Sequence, residues 1–144
     1  MAKEKEETKE KATQIVGNTG MYYACYRLSQ LGLNVMPTAR NAKGIDILAY
    51  TPDAKKFVGI QVKSLSKKWG VPLGKTKDES SDYAPMGDYW IIVVLNEKPD
   101  CYILKPKEVA AGVETDSKGN HWLGYKVYAQ KKYHEAWKRI KIKR

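Results

Sequence analysis

The chain is poor in the residues that redox, zinc and nucleotide-cradling chemistry require. Among its 144 residues are two cysteines and two histidines. No Cys/His group has the spacing of a zinc site, and there is no Walker-type glycine loop and no dinucleotide fingerprint. Cys25 and Cys101 lie inside apolar runs and read as buried, reduced thiols, a disulfide between them being the less favoured alternative. Cys25 also falls on the apolar face of its helix, which argues against a Cys–His nucleophile. No apolar run approaches a membrane span and no signal peptide is visible, so a cytoplasmic protein with no membrane partner is expected. Internal repeats and Pro- or Gly-rich linkers are also missing, which leaves a single domain.

What is present is charge of one sign. Lysine and arginine total 26 against 16 acids, a formal net charge of +10. Residues 1–12 form a charged, flexible segment of low complexity, expected to be frayed or a solvated helical lead-in. Its first eleven residues hold four Lys and four Glu and add nothing to the excess. The excess gathers in two places. Lys63, Lys67, Lys68, Lys75 and Lys77 form one cluster. Lys131, Lys132, Lys138, Arg139, Lys141, Lys143 and Arg144 form the other, against Glu135 alone. Such a surface favours a polyanion, chiefly nucleic acid; a merely solubilising surface is the plain alternative. A hydrophobic content of 42% and a charged content of 29% suit a globular domain with a real core, assigned to residues 13–144.

Asn18 or Thr19 can cap a helix that ends before Gly32, with Met21, Ala24, Cys25, Leu28 and Leu31 as its buried face. Residues 33–36 form a short strand leading to Pro37. Residues 44–50 and 58–63 alternate and are rich in Val and Ile, so both read as strands. Pro52 and Asp53 make the turn between them, giving an antiparallel hairpin. Residues 64–87, punctuated by Gly70, Pro72, Gly74, Pro85 and Gly87, read as a long loop of the kind that is functional or disordered. The nearly continuous apolar run ending at Leu95 fits a central strand covered on both faces. A strand over 101–104 follows, then a helix with Pro106 in its first turn that runs to Gly112. After a polar loop, 122–128 is a short strand or extended segment. Tyr133, Trp137 and Ile140 mark one face of a terminal helix. The sum is an α/β chain built on one central mixed sheet flanked by helices.

The hairpin has a preferred register. With the turn centred between Asp53 and Ala54, Tyr50 faces Phe57, Ala49 faces Val58 and Ile47 faces Ile60. Ile45, Ile47, Ala49, Val58, Ile60 and Val62 then share the core side. Asp46, Gln61 and Lys63 fall together on the other, and a slip by one residue would scatter them. Directly opposed Cβ atoms lie about 4.5–5.5 Å apart, so one divalent ion can touch Asp46 and Gln61 together. Singly, Asp46 and Lys63 are ordinary solvated strand residues. Together on one face beside a basic loop, they suggest a site. Ser64, Lys67, Lys68, Lys75 and Lys77 are candidate phosphate contacts. Trp69 and Tyr83 are candidate stacking residues, and Lys138 and Arg139 could follow a nucleic-acid backbone.

Gly44-Ile45-Asp46 opening a hairpin, with Gln61-Val62-Lys63 on its second strand, resembles the PD-(D/E)xK nuclease superfamily. The preceding amphipathic helix opens Gly20-Met21-Tyr22-Tyr23 and is followed by Leu33-Asn34-Val35. It is similar to the branch that holds Holliday-junction resolvases and methyl-directed restriction endonucleases. The resemblance covers roughly residues 17 to 104. It implies a restriction-endonuclease-like fold and Mg²⁺-dependent (or Mn²⁺-dependent) hydrolysis of phosphodiester bonds in duplex or branched DNA. In the catalytic set of Asp46, Gln61 and Lys63, the metal would be held by Asp46, Gln61 and the Val62 carbonyl. Lys63 would orient or deprotonate the attacking water. One site per chain implies a homodimer for double-strand cutting. Gln61 stands where the second acid is usual, a variant seen in that branch. A unit charge pair at 4 Å is worth about 4 kcal/mol at an effective dielectric of 20, much of which an amide forfeits. Relatives often carry Glu just after the glycine that stands here at Gly20; this chain has Met21. Two alternatives remain beside the nuclease: a non-catalytic DNA-binding module on the same fold, and an RNA-processing or RNA-binding relative.

Overall fold

The computed structural model describes residues 2–39, 44–75 and 82–142. A long helix, α1 (Ala2–Gln30), opens the chain. It runs through Asn18 and Thr19 and does not start there. No proline interrupts it, and the Thr19 hydroxyl is turned back onto the Ile15 carbonyl at 2.7 Å within the helix. Its C-terminus is where the sequence places it. Gly32 adopts a left-handed conformation (φ +87°). The Gly32 N–H donates to Ser29 O and the Leu33 N–H to Leu28 O, a Schellman closure that satisfies the last carbonyls. Ala24 and Leu28 are fully buried and Met21 and Cys25 pack against them, but Leu31 is 47% exposed. Leu31 belongs to the terminating turn, beyond the face the helix lays on the sheet.

The sheet consists of β1 (Asn34–Pro37), β2 (Ile47–Tyr50), β3 (Phe57–Leu65), β5 (Tyr89–Val94) and β6 (Asp100–Leu104), in the order β1-β2-β3-β5-β6. Only β3 and β5 run parallel; the other neighbours are antiparallel, so the sheet is mixed. The hairpin register is Ile47↔Ile60, Ala49↔Val58 and Tyr50↔Phe57, as the alternation requires. In its turn the Ala54 N–H donates to Thr51 O at 2.8 Å, and the Asp53 carboxylate accepts the Thr51 hydroxyl at 2.6 Å.

β5 is apolar throughout because both of its faces are covered. Ile91 and Val93 join Ile47, Ala49, Ile60, Cys101 and Ile103 in a core closed by Ala24 and Leu28 of α1. Trp90, Ile92 and Val94 join Leu65, Leu104 and Tyr102 in a second core on the opposite face. Burying side chains of this size stabilises by roughly 1.5–3 kcal/mol each.

The second core is closed by elements that the sequence hides. The stretch 64–87, read as a loop, contains β4 (Val71–Lys75). It pairs with β8 (Asn120–Leu123), which also pairs with β7 (Val113–Thr115), giving a three-stranded antiparallel sheet. β4 is an edge strand with an irregularity between Pro72 and Gly74, which is where a sheet tolerates proline. α2 (Pro106–Gly112) stands where expected, and α3 (Tyr125–Tyr128) is a single turn.

The expected terminal helix is instead an irregular segment with one 3-10 turn, Trp137–Arg139. It wraps the β6 edge. The Ile103 N–H donates to Tyr133 O and the Glu135 N–H to Cys101 O. Tyr133 is buried in the second core, while Trp137, Ile140 and Ile142 pack on the first. Cys25 and Cys101 are free thiols. No described helix is long and apolar enough to cross a membrane.

Candidate active site

Asp46 stands at the mouth of the hairpin, just before β2. Its backbone is fixed on both sides: the Asp46 N–H donates to Ile60 O at 2.8 Å, and the Thr38 N–H donates to Asp46 O at 2.9 Å. The Thr38 hydroxyl also donates to the Ile45 carbonyl. The Asp46 carboxylate turns onto β3, where Oδ2 accepts the Val62 N–H at 2.7 Å. Oδ1 has no hydrogen-bond partner among the described residues, which leaves one oxygen for a cation or a water.

Lys63 follows Val62 and lies on the face of β3 opposite α1, with Gln61 and Leu65. Its Nζ is 5.8 Å from the centre of the Trp90 ring. Burial pushes the Lys63 ammonium below the ordinary lysine value, and the negative charge of Asp46 only partly offsets this. The Trp90 ring is in turn held by its indole N–H, which donates to Met86 O at 2.9 Å, and by the edge of Tyr83. Tyr83, a candidate for base stacking, is therefore packed in an aromatic group with Trp90 and His121.

A cavity of about 250 Å³ gathers these groups. Asp46, Val62, Lys63 and Ser64 supply one wall, Thr38 and Ala39 another, and Gly17, Asn18 and Met21 of α1 the third. Gln61 is not among its walls. It lies on the Lys63 face two residues earlier, about 6.5 Å along the strand. Met21 lines the cavity together with Asp46 and Lys63, so α1 presents a thioether there and no carboxylate. Asn18 and Thr38 were not singled out as site residues from the sequence. Asn18 lies one helical turn before Met21, a spacing that could have placed it on the same wall.

The helix reaches this wall because of Gly20. A Cβ there would lie 1.8 Å from Ser64 Oγ and 2.6 Å from Ser64 Cβ, so α1 and β3 touch backbone to side chain. Ser64 Oγ is 3.5 Å from the Gly17 carbonyl.

Of the three expected Mg²⁺ donors, Asp46 and Val62 line this cavity, which has space for several waters at about 30 Å³ each, and the Gln61 amide lies outside it. A second group of metal-capable donors, Asp100, His134 and Glu135, has its ligand atoms within 4.8 Å of one another. Those atoms are already engaged. His134 Nε2 pairs with Asp100 Oδ1 at 2.8 Å, and Glu135 accepts the Cys101 N–H, Arg27 and the Trp137 indole.

The remaining candidates divide. Lys67, Lys68 and Trp69 are exposed on the turn after β3, close to Lys63 in the chain. Lys75 is exposed at the end of β4, and Lys77 lies outside the described residues. Lys138 is exposed on the far edge of the sheet. Arg139 is committed there to structure: it grips both Glu108 oxygens at 2.8 and 2.7 Å and donates to Ile103 O at 2.8 Å. A basic groove that the sequence did not single out, bordered by Lys56, Lys105, Lys107 and Lys141, lies at the opposite end of β3 and β5. Comparison of the chain with protein-family models, with curated proteins and with solved structures returned no match.

Proposed function

We propose that the chain is a Mg²⁺-dependent endodeoxyribonuclease of the PD-(D/E)xK type, acting on duplex or branched DNA. The observation that carries the reading is the meeting of Asp46 and Lys63 in one cavity, with the lysine held below its ordinary pKa. Phosphodiester hydrolysis needs charge neutralisation, an activated water and a place for the proton. A bound Mg²⁺ supplies neutralisation at the phosphate. Lys63, neutral in a larger fraction than a solvated lysine, takes the proton of the attacking water. As an ammonium it then faces the charge that develops on the phosphoryl oxygens. The Val62 N–H fixes the Asp46 carboxylate, so its second oxygen is presented without reorganisation. Ser64 and the exposed Lys67 and Lys68 extend the cationic path for the backbone, and double-strand cutting calls for a second copy.

The test is nicking of supercoiled and branched DNA in Mg²⁺, Mn²⁺ or chelator. Asp46→Ala and Lys63→Ala should each lower the rate by about two orders of magnitude or more. Metal-independent cutting, or full activity in either variant, would refute the reading. Met21 favours one alternative, a DNA-binding module that keeps the fold without turnover. Tight binding with no cleavage in either metal would select it.

A further inference from the structure

A second cavity adjoins the first and shares Lys63 and Ser64 with it. It encloses about 660 Å³, and its walls include Val16 of α1, Ser66, Trp69 and Trp122. The two tryptophans are unusual for rings of that size: Trp69 is 60% exposed and Trp122 is 40% exposed. Neither is loosely held. The Tyr128 hydroxyl donates to the Trp69 carbonyl, and Lys67 Nζ lies 5.6 Å from the Trp69 ring centre. The Trp122 indole N–H donates to Asp116 Oδ2 at 3.1 Å. Gly70 runs alongside the Trp122 ring, where a Cβ would lie 3.7 Å away, so the two tryptophans stand on adjoining walls. No acidic side chain lines the groove among the described residues, while Lys63 lines it and Lys67 and Lys68 follow in the adjoining turn.

Flat aromatic faces bordered by cations, with an apolar floor, match the chemistry of unpaired nucleotides. Their bases offer free π-faces and their phosphates carry charge; in a continuous duplex the base faces are already stacked. We propose that this groove binds unpaired nucleotides directly next to the phosphate at Lys63, so that the substrate is DNA with a single-stranded segment at the cleavage point. The inference rests on the nuclease reading and names the substrate class for the same site.

The test is anisotropy of a labelled oligothymidylate, in chelator at fixed salt, with a blunt-ended duplex as control. The wild-type protein should bind the oligothymidylate. Trp69→Ala should weaken that binding by about 5- to 150-fold, the range for losing one base–aromatic stack. Binding of the blunt-ended duplex should change by no more than ~2-fold, because it depends on phosphate contacts. Trp122→Phe, which keeps a ring if Trp122→Ala fails to fold, should retain most of the affinity. Equal oligothymidylate binding by wild type and Trp69→Ala overturns the proposal. So does a change in sedimentation in place of affinity, which would mean that the groove holds another copy of the chain. Duplex cleavage without oligothymidylate binding sinks the groove and leaves the nuclease standing. Trp69-dependent binding without cleavage in either metal does the reverse.

Discussion

Lys63 is held against two opposing influences: desolvation, which favours the neutral amine, and Asp46, which favours the ammonium. Desolvation is the larger, so the folded pKa lies below that of a solvated lysine, about 10.4. Between the lowered value and the solvated one the unfolded chain binds more protons than the folded one, so stability must rise as pH climbs through that window. Lys63→Met should flatten this alkaline slope in urea titrations and leave the midpoint unchanged or higher, while abolishing nicking. A second prediction concerns Met21. Met21→Glu would place a carboxylate on the cavity wall opposite Asp46. It should lower the Mg²⁺ concentration needed for half-maximal cleavage by about tenfold or more, since one charge at 4 Å is worth up to about 4 kcal/mol. A metal titration of the nicking rate reads this out. Asp46 and Lys63 line one cavity because the hairpin register sets the mouth of β2 beside β3, and that register was legible in the local alternation of the two strands. Thr38 and Asn18 were not, because they reach the cavity only when β1 and α1 dock on the hairpin.

At the scale of elements, the contact that sets the site is α1 crossing β3 at Gly20. Any side chain there meets Ser64 at 2.6 Å or closer, so Gly20→Ala should cost about 1–3 kcal/mol in denaturant unfolding. Ser64→Gly in the same chain should recover part of the loss, since it removes the opposing atoms. Failure of that rescue would place the strain elsewhere. The hairpin, the buried β5 run, the Gly32 stop and α2 were all readable, because each is specified within about a dozen residues. The β4-β8-β7 sheet was not. Its strands are three to five residues long, and β4, which carries Pro72 and Gly74, pairs with β8 across more than forty residues of chain. The spacing of Tyr133, Trp137 and Ile140 imitates a helix, but the two aromatics serve opposite faces of the sheet. That division follows from the path around β6, which no local period encodes.

For the whole molecule, a pI near 9.5 predicts an association with DNA dominated by counterion release. The logarithm of affinity should fall linearly with the logarithm of salt, by about 0.9 for each phosphate neutralised. Replacing Lys67 and Lys68 together should reduce that slope by roughly two, whereas Arg139→Ala should act mainly on stability, because its guanidinium holds Glu108. A flat salt response would remove DNA as the partner. The segment 130–142 belts both cores together around β6, and this has a consequence for biogenesis. A nascent chain made only as far as residue 129 lacks Tyr133 in one core and Trp137 in the other, and offers the β6 edge to any passing strand. Full burial of the two cores therefore waits for that belt to emerge from the ribosome, and chaperone demand during synthesis should peak in the interval just before it does.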